Sequence, residues 1–325
     1  MPMDGPLDAS AMVDPDRRED AAGGAIEAER GHWAYTHEPG VDLLLFWRGH
    51  AYFHHHLGTD RDRPYADPVS VPGGPPLTCF APHDHPWHAG FWFNWTFINR
   101  VDYWENGPDG HPEGRLRFDG PERVQAVGDE VCLACTYTYL DPRHGPIARE
   151  RRELRWHHPQ PDGGHVVDCT IRLCARATPL LLDRTPIGPE TPWGGYGGLS
   201  WRFARGMGRV GGLDACGRRR EAIEHQNAAW ATLYGQLDGA PDFWAGVAIF
   251  DHPSNPRHPT PWRFVAEPGF AYLNPSPLLA NPLSLDPRER LVLHYRVWVY
   301  PGQADPDRLE AEQVRFAAKP VPDWV

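Results

Sequence analysis

The chain has 325 residues, enough for one large β domain or two small ones, and a hydrophobic fraction of 41% with 14 Trp excludes global disorder. A formal net charge of −11 and a pI near 5.9 argue against a general polyanion binder, so a nucleic-acid partner is not expected. No apolar run approaches the ~20 residues of a membrane span, no apolar leader opens the chain, and six Cys make no disulfide framework, so a cytoplasmic location is expected.

Residues 1 to about 30 are rich in Asp, Ala, Gly, Pro and Arg and read as a disordered tail, with 31–325 as a single domain. Order is expected near Trp33. Two apolar runs, Val41 to Trp47 and Ala51 to His56, flank Arg48-Gly49 and predict a hairpin. Alternation then predicts strands at Leu77 to Phe80, Gly114 to Phe118, Val131 to Leu140, Arg149 to Trp156 and His165 to Ala175, the last two as antiparallel partners with one wet face. Further strands follow at Ala228 to Tyr234, Trp244 to Phe250, Arg263 to Ala266 and Leu291 to Tyr300. One helix is expected, Pro306 to Ala318, with Asp305 as N-cap and Leu309, Val314 and Ala317 on its apolar side. About fifteen short strands with evenly spread Pro and Gly predict an all-β fold: a large antiparallel β-sandwich, supersandwich-like, with one C-terminal helix.

Two stretches carry candidate chemistry. His83-Asp84-His85-Pro86-Trp87-His88 is a polar corner that feeds an aromatic strand, Phe91 to Trp95. His83 and His85 stand at alternate positions and could share a divalent metal; alternatively Asp84 could orient a neighbouring imidazole, His85 or His88, as a general base. The second corner, Asp251-His252-Pro253-Ser254-Asn255-Pro256-Arg257-His258, follows an apolar strand and is stiffened by proline. Asp251, His252, Asn255 and His258 are its candidate polar groups. Plain turn chemistry, with Asp and His capping loop backbone, competes with function at both corners. The functional account requires the two corners to meet across one hollow.

Other candidates are less specific. Arg202, after the glycine run Gly194-Gly195-Tyr196-Gly197-Gly198, could bind a carboxylate or polarised oxygen, or merely sit in an ion pair. Trp92, Trp104, Trp193 and Trp262 could wall a sugar site, although most aromatics in a sandwich are core. Asp102 and Glu105 could each pair with other carboxylates for glycosidic chemistry. Of His54-His55-His56, only His54 and His56 share a face and could cooperate. Cys132 and Cys135 on one strand point to opposite faces and read as structural. The glycine density implies positive-φ positions or close backbone approach; no helix follows, so it is not a phosphate cradle.

The motifs Asp84-His85-Pro86-x-His88-x-Gly90-Phe91-Trp92-Phe93, Val101-Asp102-Tyr103-Trp104, Gly194 to Arg202 and Gly246 to Arg257 resemble the DUF6807 family, also called PmoA-like, over about residues 40 to 300. The resemblance implies a β-sandwich whose members are often encoded near sugar oxidoreductases and isomerases, with no established reaction. A methane-oxygenase reading of the older label is rejected, because that enzyme is built from spanning helices. The chain departs from the family pattern at Trp87 and Ala89, where members commonly carry His and Arg.

The expected function is a carbohydrate-active enzyme, a lyase or hydrolase acting on an oxidised sugar or glycoside. His85 or His88 would be base or metal ligand and His252 the partner acid, supported by Asp84 and Asp251. Arg202, Asn255, His258, Trp104, Trp262 and Tyr196 would hold a sugar-like small molecule. The alternatives are a non-catalytic sugar-binding module and a metal-dependent oxygenase with His83 and His85 among its ligands. The sequence specifies no cofactor; a divalent metal, held by His83 and His85, is the candidate.

Overall fold

The computed structural model describes residues 33–59, 62–71 and 73–321. The expected tail lies outside the described residues. Strands dominate: 21 are formed among the described residues, more than the sequence suggests, because several are only two to five residues long.

Alternation along each strand decides how they stack. One sheet runs, in spatial order, Ala34–Glu38, Asp42–Trp47, His50–His56, Tyr65–Val69, Phe91–Asn94, Gly198–Arg202, Phe270–Pro275 and Trp262–Glu267. A second runs Met207–Asp214, Trp230–Leu237, Ala240–Asp251, Arg290–Pro301, His165–Ala175, Gly145–Trp156 and Glu130–Asp141, and the last pairs with both Arg115–Phe118 and Arg123–Val127; a small third sheet joins Leu283–Leu285, Leu180–Asp183, Phe97–Ile98 and Val101–Asp102. Their ladders are antiparallel. The hairpin at Arg48-Gly49 is formed, with φ of 49° and 80°, the left-handed pair that a primed turn requires.

The inner faces meet in one core. Phe91, Phe93, Leu199, Trp201 and Leu273 from the first sheet pack with Tyr137, Trp156, Ile171 and Val297 from the second. Period-2 alternation sends their neighbours outward. Trp92, Val265 and Tyr272 join Tyr65, Ala89, Trp104 and Tyr196 in a separate apolar cluster. An outer sheet face this aromatic is normally covered or functional.

The helix spans Pro306–Ala317, and the Asp305 carboxylate accepts from the backbone N–H groups of Asp307 and Arg308. Leu309 and Phe316 pack on Trp230, Phe250 and Trp298. Val314, expected on the apolar side, is instead 61% exposed, since Leu309 and Phe316 set a stripe that it misses. The expected wet face of His165–Ala175 is also corrected. That strand lies between two neighbours, and Arg296 bridges its Asp168 to Glu312 of the helix, so nearly every residue is buried.

Candidate active site

The first corner folds as two tight turns: His85 N–H donates to the Pro82 carbonyl at 3.0 Å and His88 N–H to the His85 carbonyl at 2.9 Å. Gly90 then turns the chain into Phe91–Asn94 with φ +65°, and a Cβ there would lie 2.5 Å from the Ala66 carbonyl oxygen. Only glycine fits this junction. The corner is thereby pinned to the outer face of the first sheet.

Arg202, fully buried and directed outward from the strand Gly198–Arg202, organises the polar groups. Its Nη2 donates to Asp84 Oδ2 at 2.7 Å and to the Gly269 carbonyl at 3.2 Å, and its guanidinium lies 4.1 Å from the Phe270 ring centre. Asp84 Oδ2 also meets His85 Nδ1 at 2.8 Å. Burial pushes the Asp84 carboxyl up, but the His85 and Arg202 hydrogen bonds and the Arg202 charge outweigh it and hold it well below the carboxylate range. An ionised Asp84 can only accept. In its neutral form His85 therefore carries its proton on Nδ1 and presents the Nε2 lone pair.

His88 takes the opposite tautomer. Arg202 Nη1 approaches His88 Nδ1 at 3.4 Å, and guanidinium can only donate, so the His88 proton sits on Nε2. Burial, followed by the charges of His85 and Arg202, drives the His88 pKa well below the ordinary value. The two rings stack at 4.6 Å, with Phe270 stacked on His85 at 4.8 Å. One imidazole offers a base and its neighbour a neutral donor.

These rings border a cavity of about 280 Å³ lined by His85, Trp87, His88, Trp104, Glu105, Trp193, Tyr196, Arg263, Phe270 and Tyr272. Asp102 builds one wall: its Oδ1 accepts from the N–H groups of Trp104 and Glu105 at 2.6 and 3.0 Å. Its carboxylate is spent on that turn, so Asp102 is not free to pair with another carboxylate for glycosidic chemistry. Glu105 Oε1 instead accepts from the Tyr196 hydroxyl at 2.7 Å, and burial followed by that bond pushes the Tyr196 pKa far up. The glycine run places Tyr196 there. Gly195 has φ +91°, and a Cβ on Gly194 would sit 2.6 Å from the Thr185 carbonyl. Arg263 donates through Nε to the Trp193 carbonyl at 3.0 Å and pairs with Glu224.

Among the sequence candidates, His85, His88, Trp104, Trp193 and Tyr196 line this cavity. Asp84 stands behind His85. Arg202 lies beneath with its charge committed to Asp84, so the expected direct grip on substrate is corrected to a supporting position. Trp92 underlies the cavity, packed on Trp104 and His88. Trp262 points the other way, into the core, and donates to the Ala228 carbonyl at 3.0 Å. Arg263, Phe270 and Tyr272 escaped the sequence reading. Their signal was the alternation of Arg263-Phe264-Val265 and Phe270-Ala271-Tyr272, which exposes one aromatic or cationic residue in two.

The second corner does not join this cavity. Asp251 accepts from Asn255 Nδ2 at 2.8 Å and from Thr260 N–H at 3.0 Å, and meets His258 Nδ1 at 2.8 Å. Asn255 returns to the neighbouring strand, with Nδ2 on the His294 carbonyl and Oδ1 accepting from His294 N–H. His252 Nε2 donates to the Lys319 carbonyl at 3.0 Å, its Nδ1 meets the Ser254 hydroxyl, and its ring packs on Phe316. The corner docks the C-terminal helix. The expected roles of His252 and Asp251 in catalysis, and of Asn255 and His258 in substrate binding, give way to turn and anchor chemistry.

The expected metal pair also separates. His83 contacts Arg205, while His85 is held by Asp84, so the two histidines do not gather a third ligand. Among the described residues, one trio has ligand atoms within 4.8 Å of one another: Asp42, His54 and His56, on the first sheet.

Fold and cavity together define an antiparallel β-sandwich with an aromatic-walled cavity on an outer sheet face. The chain belongs to a family of unknown function, DUF6807, whose model matches residues 45–313. No curated protein matches the sequence. Similar solved structures include a GH36 alpha-galactosidase, AgaA, from Geobacillus stearothermophilus in complex with raffinose, at 13% identity and TM-score 0.37, covering 85% of this chain and 40% of that one. The Slr1438 protein from Synechocystis sp. matches at 12% identity and TM-score 0.35, covering 89% of this chain and 99% of its own. The chain thus spans about two fifths of the first relative. Among the described residues, no helix is long and apolar enough to cross a membrane.

Proposed function

We propose that the cavity beside His85 binds a sugar-like ring and that the chain is a carbohydrate-active enzyme of lyase or hydrolase type. The observation that carries this reading is the Asp84–His85 pair, locked by Arg202, opening on a cavity walled by Trp87, Trp104, Trp193 and Tyr196. Aromatic faces receive the apolar C–H faces of a sugar, while a few polar groups fix its orientation.

For an oxidised glycoside, His85 Nε2 takes the proton from the carbon next to the carbonyl. The C–H electron pair forms a C=C bond and expels the glycosidic oxygen. The imidazolium then returns its proton to that oxygen, so charge and atoms balance. His88 Nε2–H, and the positive field of Arg263, face the developing enolate oxygen.

The test is a panel of oxidised and unmodified glycosides, read by mass spectrometry, with wild type and His85→Ala. Turnover by wild type that falls more than about a hundredfold in the variant, with folding intact, is expected. Undiminished turnover by His85→Ala refutes the assignment. The aromatic lining also favours a second reading, a non-catalytic sugar-binding module. On that reading a sugar quenches Trp fluorescence equally in both proteins and no product forms.

A further inference from the structure

The trio Asp42, His54 and His56 stands apart from the cavity and from every role assigned above. We infer that it is a binding site for a borderline divalent transition metal of the zinc class. The strands explain why the three side chains converge. His54 and His56 are two apart on His50–His56 and share its outer face, while His55 between them turns inward and is buried. Asp42, on the neighbouring strand, is the direct cross-strand partner of His56. A one-residue slip of this hairpin would scatter the set.

The distances suit one ion. Ligand atoms held about 2.1 Å from a shared metal lie some 3–4 Å from one another, and these three lie within 4.8 Å, so small side-chain rotations close the site. Asp42 Oδ2 already meets His54 Nε2 at 2.7 Å, and the two imidazole rings are 4.1 Å apart. His56 has the outer support that metal-bound imidazoles normally have. Its Nε2 lies 3.2 Å from the Asp67 carbonyl, which can only accept, so the proton is on Nε2 and the lone pair on Nδ1. Tyr65 stacks on the His56 ring at 4.5 Å and restricts its rotation.

Donor chemistry sets the class of ion. Two neutral imidazoles and one carboxylate suit zinc, cobalt or nickel better than calcium or magnesium, which prefer oxygen alone. Three protein ligands leave at least one position open. His54 and Asp42 each keep 24% of their side-chain surface exposed, so water reaches that position. An ion here ties Asp42–Trp47 to His50–His56 and, through His56 and Asp67, to Tyr65–Val69.

The experiment uses the full chain without a histidine tag, freed of metal by chelator. Zn²⁺ is titrated calorimetrically, and Co²⁺ is followed by its visible absorption. One equivalent per chain is expected, with a rise in Tm on loading. His54→Ala and the near-isosteric Asp42→Asn should each weaken binding more than about tenfold and abolish the Tm rise. His83→Ala and His85→Ala should leave both unchanged. The chain has 18 His, so scattered surface binding is the rival outcome. Absence of a tight equivalent in wild type, or wild-type binding by His54→Ala, overturns the site.

Discussion

Arg202 Nη2 lies 2.7 Å from Asp84 Oδ2, and this bond ties a residue of the first sheet to the corner that presents His85. The guanidinium is fully buried while the carboxylate is 28% exposed. Removing the cation leaves the partly buried carboxylate with only His85 at 2.8 Å and the more distant Arg205 guanidinium at 3.6 Å. Arg202→Leu is therefore expected to cost about 3 kcal/mol in urea unfolding, toward the low side for a broken buried pair because water reaches Asp84. An unchanged unfolding midpoint would show that the clamp contributes nothing.

Asp84→Asn tests the tautomer rather than the fold. Asp84 Oδ2 accepts from both Arg202 and His85, so an amide keeps its oxygen toward them but loses the negative charge that holds the imidazole proton on Nδ1, and the Nε2–H tautomer, which removes the base from the cavity side, becomes populated. Heteronuclear NMR of the imidazole nitrogens should show Nδ1–H in wild type and a shifted tautomer in the variant. Identical spectra would separate Asp84 from the chemistry.

Trp262 and Trp193 occupy opposite environments. Trp262 is fully buried in the core, whereas Trp193 is 44% exposed at the cavity. Trp262→Ala should destabilise by about 3–5 kcal/mol, from lost burial plus the space left behind. Trp193→Ala should change stability by less than about 0.5 kcal/mol yet weaken sugar binding. Equal effects on stability would contradict this placement.

The second corner predicts a stability effect without a functional one. Asp251→Ala leaves Asn255, His258 and the Thr260 N–H without their shared acceptor, and about 2–4 kcal/mol should be lost. Ligand binding at the distant cavity should survive at temperatures where the variant is folded. Loss of binding in folded Asp251→Ala would restore this corner to the site.

Acid sensitivity follows from two buried histidines. Burial lowers His165 to about 3 and, with smaller charge contributions, His294 to about 4, against an ordinary 6.5. Both are neutral in the fold and protonate more readily when unfolded. The unfolded chain thus binds more protons between these values, and stability is full above about pH 6.5 and declines as pH falls toward about 3, by roughly 1.4 kcal/mol per pH unit per group. Urea midpoints across that window check the slope. His165 packs edge-on to Trp33 and Tyr52, and neither of its ring nitrogens has a hydrogen-bond partner, so His165→Phe should flatten the curve.

Much of the architecture was legible because it is local. Alternation in Val131 to Leu140, the Arg48-Gly49 turn and the Asp305-Pro306 cap each act within a few residues, and each formed as read. The cavity was half legible. His85 and His88 announce themselves by residue type, and Tyr196 by the glycines around it. Arg263, Phe270 and Tyr272 do not, because an aromatic on a strand reads the same whether its face meets the core or a ligand. Trp262 and Trp193 show this ambiguity directly.

What the chain's pattern settled alone is the strand-rich sandwich, the hairpins, the capped helix and a His-Asp corner at a strand start, since side-chain period and turn chemistry are near-neighbour properties. Only the stacked sheets decided that the two Asp-His-Pro corners serve different ends. One faces an aromatic hollow over Arg202; the other is closed by Phe316 of the C-terminal helix and the Lys319 carbonyl just after it, which arrive from far along the chain. A motif states which bonds its residues can make, and long-range packing determines which of those bonds are already taken.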